Sequence, residues 1–172
     1  MPGGSMDRTS VLWAVTRISL GWIFLWAFID KLFGLGFATC KGAEVMCQKA
    51  WLAGGSPTTG YLTGASERAF GWLFGALKGL ALVDWLFMIG LLGIGLALIL
   101  GAGMRIAAWT GSAMMVLMWL AALPLANNPI MDDHLIYAMV LFLMAWLNVG
   151  NMYGIGKWWK SRPFVQKNRW LE

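Results

Sequence analysis

Long apolar runs separated by short polar segments dominate this sequence. Four runs approach the length of about 20 mostly apolar residues that a membrane-spanning helix requires. Read from the pattern, these runs cover about 11–36, 84–100, 106–126 and 135–153. Short turns join the last three runs, and such turns make consecutive helices antiparallel neighbours. The pattern therefore predicts an all-α membrane protein, a four-transmembrane-helix up-down bundle that forms a single domain over 1–172.

The first and second runs are joined by an unusually long segment, 37–83. A connection of this length usually carries a function or structure of its own. From 67 to 82, apolar residues recur at helical spacing: Phe70, Leu73, Phe74 and Leu77. With Arg68 and Lys78 beside them, they predict a short interfacial helix that lies on the membrane surface.

Charge placement predicts the orientation of the helices. Arg8 precedes the first run, Arg105 lies in the turn between the second and third runs, and five cations crowd the tail, 154–172. The turn before the fourth run instead carries Asp132 and Asp133. Because cytoplasmic flanks are enriched in lysine and arginine, we expect both termini in the cytoplasm and loop 37–83 outside the plasma membrane.

Composition supports a membrane protein over a soluble one. Hydrophobic residues make up 59% of the chain and charged residues only 12%, against about a quarter in soluble domains. Twelve tryptophans suit the membrane interface. The first run lacks a cleavage site of the signal-peptide type and is expected to remain as a span. The net charge of +5 is concentrated in the tail, which indicates topology and contact with membrane lipid rather than nucleic-acid binding.

Both cysteines, Cys40 and Cys47, lie in the loop predicted to be outside. Thiols there tend to form disulfides, so we expect a bridge. The bridge is either a structural staple or a redox-active pair, although the spacing differs from the Cys-X-X-Cys motif of redox enzymes. Two cysteines and one histidine do not make a zinc cage. We find no metal, haem, iron–sulfur or flavin motif.

Ionisable residues gather at the predicted outer ends of three spans. They are Asp30 and Lys31, then Asp84, and finally Asp132, Asp133 and His134. One interpretation is interface anchoring and helix capping. The other is a proton-handling site for a lipid-soluble redox carrier, with the lone histidine titrating near neutrality. On the opposite side, we expect the Arg17 and Arg105 side chains to extend to the interface.

Three segments resemble the DoxX/DoxD family of small bacterial membrane proteins. The stretch from Arg17 to Phe33 resembles that family's first helix, with an early arginine and a lysine before Leu-Phe. The stretch 95–108 resembles its glycine-rich second helix and the arginine that follows. The stretch 128–137, together with the turn at 51–57, resembles the subgroup described as the membrane subunit of thiosulfate:quinone oxidoreductase.

The resemblance implies a four-helix bundle linked to sulfur-compound oxidation or thiol-redox defence, with electrons passing to membrane quinone. On this hypothesis His134 and Asp133 exchange protons, and Lys31, beside Asp30, attracts an anion or the quinone oxygen. The remaining candidates for contact with quinone are Asp84, Trp26, Arg17 and Arg105. The resemblance leaves open whether the chain is catalytic.

Two other functions compete with this one. The chain could be a non-catalytic membrane scaffold or anchor subunit that holds a protein partner in a respiratory or thiol-redox complex. A glycine-rich stripe including Gly90 and Gly93 would then contact the partner or lipid. A transporter is less favoured, because the four spans have no detectable inverted repeat.

Overall fold

The fold comes from a computed structural model, which describes residues 7–172. All regular secondary structure in that range is helical, as the sequence predicts. The α-helices are α1 Arg8–Phe33, α2 Thr59–Ser66, α3 Gly71–Leu77, α4 Ala81–Leu100, α5 Met104–Ala122, α6 Asp133–Trp146, α7 Gly156–Lys160 and α8 Pro163–Lys167. Three 3₁₀ turns cover Trp51–Ala53, Val149–Asn151 and Arg169–Leu171.

Three of these helices, α1, α4 and α5, are long and apolar enough to cross a membrane. Helix α6 is apolar but has 14 residues, about 21 Å at the helical rise per residue. It is shorter than the predicted span 135–153 because Asn148 adopts a left-handed conformation at φ 53°. Asparagine often ends helices in this way.

Local signals place the other helix ends within a few residues of the sequence-based bounds. Helix α1 starts after Asp7, whose carboxylate accepts a hydrogen bond from the Thr9 N–H, and it ends at Gly34 with φ 61°. Helix α5 ends at Ala122, two residues before Pro124, and helices usually end before the residue preceding a proline.

The long helices pack in two principal pairs, α1 with α4 and α5 with α6, and α4 also contacts α5. The α1–α4 contact depends on Gly21 and Gly95. A Cβ atom added at Gly21 would lie 2.9 Å from Leu98 Cβ, and one at Gly95 would lie 2.8 Å from the Leu25 nitrogen. Small residues of this kind let helix backbones approach closely in membranes.

The segment 37–83 contains two short helices, α2 and α3, instead of the one helix predicted over 67–82. Their buried residues Leu62, Ala65 and Phe74 pack against Ala121 at the end of α5. We call this end of the bundle, where α1 and α5 finish and α4 and α6 begin, the loop end. The opposite end, next to residues 153–172, is the tail end.

Candidate functional site

An apolar cavity of about 170 Å³ lies at the loop end of the bundle. Helices α1, α4 and α5 form its walls, and α2 and α3 cover it. Most of its lining is hydrophobic, and Lys31, Thr58 and Tyr61 are the polar members of the lining. The remaining lining residues are Pro57, Leu62, Phe74, Leu77, Val83, Phe87, Met114, Leu117 and Met118. Such a pocket, apolar with a few convergent polar groups, is the usual form of a small-molecule site.

Among residues 7–172, Lys31 contributes the one charged group in the cavity lining. Its side chain is half-buried, and its Nζ atom lies 5.9 Å from the centre of the Phe87 ring. Within residues 7–172 the Lys31 ammonium forms no ion pair, even though Asp30 is adjacent in sequence. The ammonium is therefore free to donate hydrogen bonds to a bound molecule.

The Asp30 carboxylate binds backbone N–H groups of the loop that follows α1. Asp30 is 1% exposed, and its carboxylate accepts hydrogen bonds from the backbone N–H groups of Phe37, Ala38 and Thr39 at 3.2, 3.0 and 2.8 Å. Three N–H donors satisfy the negative charge and fix the chain that leaves α1. Asp30 thus positions the start of the loop, next to the lysine.

Tyr61 lies in the cavity lining, near enough to Asp132 and Asp133 for their charges to act on its phenol. Its hydroxyl donates a 2.9 Å hydrogen bond to the Met118 carbonyl. Burial raises the pKa of the Tyr61 phenol, Arg68 lowers it, and Asp132 and Asp133 raise it further, with a net increase. The phenol therefore remains a neutral hydrogen-bond donor at physiological pH.

Asp84 holds the cover of the cavity in place. Its carboxylate accepts hydrogen bonds from the Ser56 hydroxyl at 2.9 Å and from the backbone N–H and hydroxyl of Thr58. These bonds join the first turn of α4 to the start of α2. Asp84 is itself buried and does not line the cavity, so it acts by positioning Thr58.

His134 lies in a separate cluster at the start of α6. Its Nδ1 atom is 2.7 Å from an Asp132 oxygen and 3.4 Å from an Asp133 oxygen. Burial acts to raise the pKa of the Asp132 carboxyl, but hydrogen bonds from His134 and the Leu135 N–H outweigh it and lower that pKa. His134 is not among the residues that line the 170 Å³ cavity. The loop end thus carries two polar sites, one at Lys31 and one at His134.

A groove of about 590 Å³ runs along the outside of α1. Trp26 lies in it between two aromatic neighbours, with ring centres 5.7 Å from Trp22 and 5.1 Å from Phe37. Lys31 lines this groove as well as the cavity. Lys31 is therefore the residue that the groove and the cavity share.

Cys40 and Cys47 form a disulfide, with their Cα atoms 5.8 Å apart, as expected from the sequence. The Cys40 sulfur packs against Gly34 at the end of α1, where an added Cβ would lie 2.6 Å from it. The bridge therefore closes a small loop that is packed on the helix carrying Lys31.

The two candidate arginines lie at the tail end, the opposite end of the bundle from Lys31. Arg17 is 0% exposed, so its predicted extension to the interface is wrong. Its guanidinium instead donates to the carbonyl oxygens of Leu98, Ile99, Met152 and Tyr153. Glycines make this possible, because a Cβ atom at Gly101 or Gly154 would collide with the guanidinium.

Arg105, in contrast, is half-exposed and pairs with the Glu172 carboxylate at 3.2 Å. It also donates to the Arg169 carbonyl at 3.0 Å. These bonds fix the end of the described chain against the start of α5. Both arginines thus bind protein groups at the tail end.

Thr58, Tyr61 and Phe87 line the cavity but were not predicted from the sequence to do so. A local signal was present for the first two, since Ser56-Pro57 precedes a stretch that forms α2, and the Ser56 hydroxyl accepts from the Thr59 N–H at 3.1 Å. Serine is a favoured residue at helix starts. That signal predicts a helix but does not reveal which face covers the cavity.

No protein-family model, curated protein or solved structure matches this chain.

Proposed function

We propose that this chain is a DoxX/DoxD-type protein of the bacterial plasma membrane that binds quinone as the membrane subunit of a quinone-linked oxidoreductase. The supporting observation is the apolar cavity at the loop end, with the Lys31 ammonium, which forms no ion pair within residues 7–172, in its lining. The family resemblance adds thiosulfate as the candidate electron donor. The same proposal includes four crossing helices, with α6 and the turn after it as the fourth, and both termini in the cytoplasm.

The size of the cavity fits a single quinone ring. A dry apolar cavity of about 150 Å³ is enough to hold benzene, and the volume here is about 170 Å³. The hydrophobic lining suits the ring faces. A Lys31 N–H would donate to one quinone carbonyl, and its positive charge would stabilise the negative charge that develops on that oxygen during reduction.

The groove on α1 suits the isoprenoid tail of the quinone. It begins at Lys31 and extends along Trp26 to Trp22. Trp22 lies nine positions before Lys31, about 14 Å along a helix. Because the groove is open on its outer side, a tail lying in it would continue into the lipid.

Reduction of a quinone to a quinol consumes two electrons from the donor and two protons. We assign proton uptake at the loop end to His134 with Asp132 and Asp133. The 2.7 Å contact between His134 and Asp132 supports this role, because a carboxylate that accepts from one ring nitrogen orients the imidazole. As His134 does not line the cavity, protons would reach the quinone through Tyr61 or water.

The binding test compares the effect of substituting two different lysines on the affinity for quinone. A Lys31→Met protein, purified in detergent, should bind a short-tailed quinone analogue at least about tenfold more weakly, since a charge-assisted hydrogen bond contributes about 1.5–3 kcal/mol. Lys78→Met is the matched control, because Lys78 is exposed at the same end and does not line the cavity. Equal affinity of the wild type and Lys31→Met would reject the site.

The activity test concerns the proton step. A His134→Ala protein should keep its fold and its affinity for the quinone analogue but lose quinone-dependent thiosulfate oxidation. Unchanged oxidation would reject the assignment of His134. If the variant lost both thiosulfate oxidation and quinone binding, the result would instead indicate a folding defect at the start of α6.

A scaffold function is the second candidate. Gly93 on α4 is exposed, and a Cβ added there would meet none of the described residues within 4 Å, so this part of the α4 surface is open to another helix. This function predicts copurification with a second protein and no turnover by the chain alone. A pull-down from the native membrane, followed by the quinone-binding test, separates the two functions.

A further inference from the structure

Positive charge is concentrated at the tail end of the molecule. Residues 153–172 contain five cationic side chains and a single acidic side chain, Glu172. The cations are Lys157, Lys160, Arg162, Lys167 and Arg169. Glu172 is already paired with Arg105 and Arg169 at 3.2 Å, which leaves most of this positive charge uncompensated.

This segment is a folded part of the protein. The Trp159 indole N–H donates to the Leu171 carbonyl at 2.7 Å, and the Ile155 N–H donates to the Leu100 carbonyl at 2.9 Å. Val165 is 1% exposed. Helices α7 and α8 therefore hold their cations at fixed positions beside the ends of the long helices.

Large aromatic side chains accompany these charges on the surface. Trp158, Phe164 and Trp170 are more than half exposed. The Arg162 guanidinium lies over the Trp158 ring, 3.9 Å from its centre. Exposed aromatic residues beside lysine and arginine are typical of protein surfaces that lie among lipid head groups.

We propose that residues 153–172 form a platform that binds the head groups of anionic phospholipids. The phosphate groups would pair with Lys157, Arg162 and Lys167, which are exposed, while the aromatic rings enter the interface. Anionic lipid is the occupant that the charges favour, because a zwitterionic head group gives no net attraction. This surface lies at the opposite end from the quinone cavity and does not depend on it.

The test measures the choice between two lipids. The full chain is exposed to equimolar phosphatidylglycerol and phosphatidylcholine in detergent micelles, and the lipids that stay bound are counted by native mass spectrometry. The wild type should retain phosphatidylglycerol preferentially. Each cation near an anionic surface favours binding about fivefold, so K157Q/R162Q/K167Q should reduce the preference at least about fivefold.

The control is K41Q/K49Q/K78Q, which removes the same charge from exposed lysines of the segment 37–83. It should keep the wild-type preference. Lys160 and Arg169 stay unchanged in both proteins, because they bond to Asn148 and Glu172 within the fold. Equal lipid preference in all three proteins would overturn the proposal, as would an equal loss in the control.

Discussion

The Arg17 guanidinium donates a 2.9 Å hydrogen bond to the Leu98 carbonyl oxygen, 81 residues later in the chain. This bond joins the third turn of α1 to the last turn of α4. The last carbonyl groups of a helix have no partner within the helix and carry its negative dipole end. The two terminal nitrogens of the buried guanidinium therefore bind helix-end carbonyl groups instead of a carboxylate, while its Nε–H has no hydrogen-bond partner within residues 7–172.

Replacing Arg17 should destabilise the bundle. Arg17→Met leaves the carbonyl groups of Leu98 and Met152 without their donor, and we expect the free energy of unfolding to fall by about 2–3 kcal/mol. Arg8→Met, at the exposed start of the same helix, should change it little. Denaturant unfolding in micelles measures both, and equal stability of the two variants would show that Arg17 does not hold the helix ends together.

Two glycine-to-alanine substitutions should differ in their effect on the unfolding temperature. Gly101→Ala places a Cβ atom against the Arg17 guanidinium in a left-handed conformation at φ 75°, so it should lower the unfolding temperature. Gly93→Ala adds a methyl group in open space on α4 and should not. A thermal shift of equal size for both proteins would contradict the close packing described around Arg17.

The Asp30 carboxylate should control the stability of the disulfide loop. Asp30→Asn keeps the shape but removes the charge that the N–H groups of Phe37, Ala38 and Thr39 bind, and we expect a local loss of about 1–3 kcal/mol. Faster hydrogen exchange of these three amides measures this loss. Asp133→Asn is the control, since that side chain is 69% exposed. Unchanged exchange in Asp30→Asn would count against the positioning role.

The first turn of α6 should become less stable in acid. Because the pKa of Asp132 is lower in the fold than its ordinary value of 3.8, its ionised form stabilises the fold above that value. This contribution should be lost as the pH falls through the lowered pKa. In Asp132→Asn the contribution cannot titrate. The difference in Leu135 amide protection between the two proteins should therefore shrink as the pH falls below about 4, and a difference that stays the same over that range would contradict this.

The helical character of the chain followed from the apolar runs, and the cysteine pair followed from the location of both residues in one loop. The ends of α6 were harder to place, because its apolar pattern continues past the residue where the backbone turns at Asn148. Nothing in hydropathy distinguishes the last residue of a helix from the next apolar residue. Helix α2 was also not predicted, since its eight residues contain two glycines and three threonine or serine residues.

The candidate site was predicted in part. The positions of Lys31 and Asp84 at neighbouring helix ends followed from an up-down arrangement, but the roles of Asp30 and Asp84 as acceptors for loop N–H and hydroxyl groups depend on the path of segment 37–83. That path is a tertiary property. It also separates the Lys31 cavity from His134, which sequence reasoning had combined into one site.

The most direct test of the account is photo-crosslinking with a quinone analogue that carries an azide on its ring, followed by peptide mapping of the labelled full chain. If the ring occupies the cavity beside Lys31, the label should appear on residues of the cavity wall, in 57–62 and 83–87, and an excess of unlabelled quinone should prevent it. Labelling confined to 132–137, or spread over all helices without competition, would contradict a quinone site at Lys31.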